Sequence, residues 1–137
     1  MNRLPLFAVI IGAALPLANA WGNTVASVTV KNDTSTPAAF TYEYAFGTFD
    51  PVPSTISGNA TLRFVLNGAS SASSGMRFTY SAGSKRCKFE ASHITIPNIG
   101  WTKKATSTGS ARATCEAKIT RASATPPYDY GVEFTIR

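Results

Sequence analysis

The chain is poor in the side chains on which most hydrolases and metal proteins are built: among 137 residues there are one histidine, two cysteines and seven acidic groups. The acidic residues are spread singly, so the paired carboxylates of a glycosidase are not expected. His93 is the only imidazole, and Cys87 and Cys115 have no CxxC spacing, so the ligands of a four-coordinate zinc site are not brought together. No cofactor-binding motif is present, and none is expected. Apolar residues at helical spacing are nearly lacking too, which argues against a helical bundle. Beyond the first twenty residues there is no apolar run long enough to cross a hydrocarbon core of about 30 Å.

Those first twenty residues, MNRLPLFAVIIGAALPLANA, have the pattern of an export leader. A basic Arg3 precedes an apolar run from Leu4 to Leu17, and Ala18, Asn19 and Ala20 supply the small-x-small cleavage pattern. Pro16 keeps the segment before the cut from continuing as helix. The expected mature protein is therefore residues 21–137, beginning at Trp21, a single domain that is periplasmic or extracellular. No cysteine follows the apolar run, so no lipid anchor is expected.

Of 13 basic side chains only Arg3 lies in the leader, leaving 12 against 7 acidic ones, a net charge of +5 with His93 neutral. This modest excess favours an anionic glycan or a protein partner, with an attraction that salt screens. Nucleic acid is not expected as a partner of an exported protein. Export also makes a Cys87–Cys115 disulfide the expected state of the two cysteines.

Alternation of period two runs through the chain. It predicts strands at Thr24–Lys31, with Ala26, Val28 and Val30 inward, and at Ala39–Phe46, with Phe40, Tyr42, Tyr44 and Phe46 inward. Further strands are predicted at Ala60–Leu66, at Met76–Tyr80 and at Lys85–Ala91, where Cys87, Phe89 and Ala91 share one face. A short strand over His93–Ile96 would turn Ile94 and Ile96 inward. Ala111–Arg121 and Tyr130–Ile136 complete the set. Breaks at Asp50-Pro51, Gly58-Asn59, Asn67-Gly68, Asn98–Gly100 and Thr125–Tyr128 separate the strands, and Ala69–Ser74 is expected to be a flexible loop. Seven or eight strands with these breaks predict an all-β fold: a small antiparallel β-sandwich, immunoglobulin-like in gross architecture, stapled by one disulfide. Asn32-Asp33-Thr34 and Asn59-Ala60-Thr61 match the N-glycosylation pattern.

No catalytic residues are assigned. Ser92 and His93 could join Asp50 or Asp129 in a nucleophile-base set, but adjacent residues on a strand point to opposite faces. His93 is expected to be an exposed or edge-strand residue. The basic residues are more suggestive: Arg86 and Lys88 share an outward face, and Lys103 and Lys104 are expected beside a turn that carries Trp101. Arg112 and Lys118 are expected to join them if the disulfide draws their strands together. With Tyr128 in another loop, Trp101, Lys103, Lys104, Arg86 and Lys88 form the candidate binding surface, combining charge and stacking.

The C-terminal GVEFTI, together with the Ala26, Val28 and Val30 alternation, loosely resembles the closing and donor strands of chaperone-assembled fimbrial subunits. The resemblance covers about a dozen residues and implies an assembly or adhesion role, although the cysteines lie elsewhere than in the common fimbrial pattern. The sequence thus points to an exported, non-catalytic binding protein, monomeric or weakly self-associating, that recognises a glycan or an anionic surface. The alternatives are a fimbrial-type or adhesion subunit and a secreted protein inhibitor.

Overall fold

The computed structural model describes residues 22–137; the expected leader at 1–20 and Trp21 lie outside the described residues. Eight strands follow one another: β1 (Val25–Asn32), β2 (Ala39–Asp50), β3 (Thr61–Gly68), β4 (Ser73–Ala82), β5 (Lys85–Ile94), β6 (Gly100–Ser107), β7 (Cys115–Ala122) and β8 (Tyr130–Ile136). They form one sheet in the order β6-β5-β4-β2-β3-β1-β8-β7. The sheet curls until β6 lies beside β7, leaving a nearly closed barrel whose last seam has no strand ladder.

The all-β class, the strand number and the disulfide are as expected, but the two-sheet immunoglobulin-like sandwich gives way to this single curled sheet. Strand β2 is the reason. Its first part pairs with β4 from Ala39 to Phe46, and its second part pairs with β3 from Gly47 to Asp50, so it carries the sheet around a corner. Gly47 stands at the bend with φ of 136°, where an added Cβ would collide with the Asn67 carbonyl. The sheet is also not wholly antiparallel. Strand β1 lies between β3 and β8 and runs parallel to β8, from Ala26 opposite Tyr130 to Asn32 opposite Ile136. Both edges of β1 are thereby paired within its own chain.

Inward residues of every strand meet in one core, where Phe78 contacts Phe64, Phe89 and Phe134 at ring distances of 5.8, 5.9 and 5.5 Å. Cys87, inward on β5, is bonded to Cys115 at the start of β7, with 5.6 Å between their Cα atoms. The bond thus ties together strands near the two ends of the sheet order, beside the seam.

Four local expectations are corrected. A register shift between Tyr42 and Tyr44 turns Tyr44 and Phe46 out of the core, and Tyr42, just before the irregularity, is exposed as well, so of the four rings only Phe40 packs inward. Strand β5 continues unbroken through Ile94, which keeps His93 on the inward face of Cys87, Phe89 and Ala91 and leaves Ile94 and Ile96 exposed. The stretch from Gly100, expected to be a turn, is strand β6, and Ser73 and Ser74 belong to β4 rather than to a flexible loop. Of the two glycosylation matches, Asn32 is fully buried, its amide donating to the carbonyls of Thr36, Ile56 and Ser57, whereas Asn59 is exposed.

Candidate binding face

The outward residues of β2, β4, β5 and β6 fall into rows across the strands, because antiparallel pairing sets facing residues side by side. One row runs Tyr44, Arg77, Glu90, Lys104, and the next runs Phe46, Gly75, Ser92, Thr102. Between them lies an open hollow of about 360 Å³. Gly75 forms part of its floor, and a Cβ placed there would sit 3.6 Å from Tyr44 Cε1 and 3.7 Å from Ser92 Cβ. The missing side chain therefore gives the hollow depth.

The polar groups around it are already organised. Arg77 Nε donates to Glu90 Oε1 at 2.7 Å, and the Ser92 and Thr102 hydroxyls meet at 2.6 Å. Lys104 faces Glu90 from β6 without a carboxylate partner among the described residues. Further along the same face Lys88 pairs with Glu43 at 3.6 Å, and Arg86 Nε donates to Ser81 Oγ at 3.1 Å.

Of the residues expected to form the binding surface, Arg86, Lys88 and Lys104 share this outer face. Lys103, one residue away on β6, has the opposite side-chain parity and stands opposite Ala91, but it too borders the hollow. Trp101 is not on a turn: it stands opposite His93 on β6 and is half-buried against the core. Tyr128 precedes β8 at φ of 65°, its ring 6.2 Å from that of His93. Trp101 and Tyr128 thus lie near the inward His93, apart from the outer basic row. Arg112 falls between β6 and β7, and Lys118 is paired in register with Glu133 on β8, so neither extends the row.

His93 is buried, not exposed, because it continues the inward alternation of β5. Its Nε2 donates to the Ser71 carbonyl at 3.2 Å, leaving Nδ1 to accept from Ser74 Oγ at 2.7 Å. Ser74 Oγ in turn accepts from the Tyr130 hydroxyl at 3.2 Å. Burial lowers the pKa of His93, and the bond to the Ser71 carbonyl opposes part of that shift. Ser92, bonded to Thr102 on the other face of the strand, does not meet this imidazole. Asp129 accepts from the backbone N–H of Val25 at 2.7 Å. Among the described residues no group of three or more His, Cys, Asp or Glu side chains could hold a metal ion, and no helix is long and apolar enough to cross a membrane.

The outer hollow brings in Tyr44, Gly75, Arg77, Glu90, Ser92 and Thr102, none of which the sequence singles out for binding. The available signal was the outward parity of Arg77, Glu90 and Ser92, which set them beside Lys88. Tyr44 was concealed by the register shift, and Thr102 by the unrecognised strand.

No protein-family model matches this chain, and no curated protein matches its sequence. Among solved structures it is similar to IP-1A from Alcaligenes faecalis, with a TM-score of 0.56 over 82% of this chain and 89% of that one. At 14% identity the likeness is one of fold alone.

Proposed function

We propose that the protein is exported and acts by non-catalytic binding, recognising a glycan in the hollow between β2 and β6. The observation that carries this reading is the exposed Tyr44 ring standing over the glycine floor at Gly75. A sugar presents an apolar ring face and a polar edge. Tyr44 offers a flat surface for the first, and Arg77, Glu90, Ser92 and Thr102 offer donors and acceptors for the second. The volume of about 360 Å³ lies at the low end of ligand sites, for which about 300–1,000 Å³ is usual. The Arg77–Glu90 and Ser92–Thr102 bonds hold these groups in place before a ligand arrives, which lowers the ordering cost of binding.

The test is a glycan array followed by titration of any ligand found. Tyr44→Ala is expected to weaken binding about tenfold, equivalent to about 1.4 kcal/mol. Gly75→Leu should fill the hollow and abolish the signal. Its first side-chain atom meets only ordinary van der Waals distances, so folding should survive. Undiminished binding in both variants would exclude the hollow as the site.

A further inference from the structure

We propose that the ligand is an acidic oligosaccharide, stacked on Tyr44 at one end and presenting a carboxylate to Lys104 at the other. This rests on the glycan reading above and adds the charge of the ligand and the two points that hold it. The charge follows from which groups are already paired. Arg77 holds Glu90 at 2.7 Å and Glu43 pairs with Lys88 at 3.6 Å, so each carboxylate on this part of the face has its own cation. Lys104 has no such partner among the described residues. Arg77 is already engaged by Glu90, so the cation open to an incoming carboxylate is the one on the β6 rim. A charge-assisted bond there is stronger than one between neutral groups.

The two contact points follow from the sheet. Tyr44 on β2 and Lys104 on β6 are three strand spacings apart, about 14 Å at about 4.8 Å each. The Tyr44 ring leans over Gly75 on β4 and the lysine stem reaches inward from β6, so the ligand bridges what remains of that distance. The Ser92–Thr102 hydroxyl pair lies in the adjacent row, where it can meet sugar hydroxyls between the two ends.

The test uses the exported protein with galacturonate, alginate and hyaluronan oligosaccharides, each beside its carboxyl-reduced neutral counterpart, at about 0.15 M salt. At least one acidic oligosaccharide is expected to bind, and reduction of its carboxyl groups should weaken binding about tenfold. Lys104→Gln should cause the same loss and remove the discrimination, and Lys118→Gln, on β7 away from the hollow, should leave both unchanged. Equal binding of acidic and reduced forms, or discrimination that survives Lys104→Gln, would overturn the inference while leaving the glycan reading in place. If no acidic or neutral glycan binds, both are overturned.

Discussion

His93 and Trp101 face each other across β5 and β6, and each makes a distinct prediction. The neutral imidazole accepts from Ser74 and donates to the Ser71 carbonyl, with the rings of Tyr128 and Tyr130 6.2 and 6.0 Å away. Its pKa is lowered in the fold, so the unfolded chain takes up a proton first, near pH 6.5, while the folded protein resists. The contribution of His93 to stability is therefore intact above about pH 6.5, declines as the pH falls toward the folded value, and then levels off. Urea midpoints from pH 8 to pH 5 should follow that decline, and His93→Gln should flatten it; parallel curves would place the titration elsewhere. Trp101 is half-buried, and its Nε1 is buried without a hydrogen-bond partner among the described residues. Trp101→Phe removes that unsatisfied donor and should be nearly neutral in thermal unfolding, whereas Trp101→Ala should cost about 2–3 kcal/mol through lost packing. A Trp101→Ala variant that keeps full stability would contradict this packing role.

Strand β2 concentrates the stress of closing the sheet. Gly47 combines a φ of 136° with a close approach to Asn67, so Gly47→Ala should destabilise by about 2–3 kcal/mol in urea unfolding. A loss below about 0.5 kcal/mol would show that the corner relaxes at little cost. The same strand marks where the sequence stops being legible. Regular alternation placed β1, β3, β5 and β8 to within a few residues, because each keeps an apolar face toward the core. In β2 the alternation continues in the letters, but the irregularity at Tyr42–Tyr44 flips the side chains that follow. Ile94 and Ile96 misled for a related reason: their apolarity suggests burial, but the inward parity of β5 already belongs to Cys87, Phe89, Ala91 and His93. Strand β6 was hidden because it borders the open seam, where Thr102, Lys103 and Lys104 stay exposed and no apolar stripe forms. The missed strand β6 and the misplaced side chains of β2 border the candidate hollow, so less of it than of the core could be read in advance.

The seam between β6 and β7 leaves the barrel open along one line, and the Cys87–Cys115 bond spans it from β5 to β7. With a sequence separation of 28 between the cysteines, the bond should contribute about 3–4 kcal/mol by restricting the unfolded chain. A Cys87→Ser, Cys115→Ser double variant should lose that amount in urea unfolding, and an unchanged midpoint would contradict it. The parallel pairing of β1 with β8 has another consequence, for a protein that is pulled instead of heated. The first and last strands lie side by side in seven matched positions, with the chain entering β1 at one end of the pair and leaving β8 at the other. Tension applied through the flanking chain would load this whole ladder in shear, so the bonds must yield together and cannot unzip one by one. In single-molecule stretching the protein should act as a mechanical clamp, with rupture at the β1–β8 interface before the disulfide-bounded region extends.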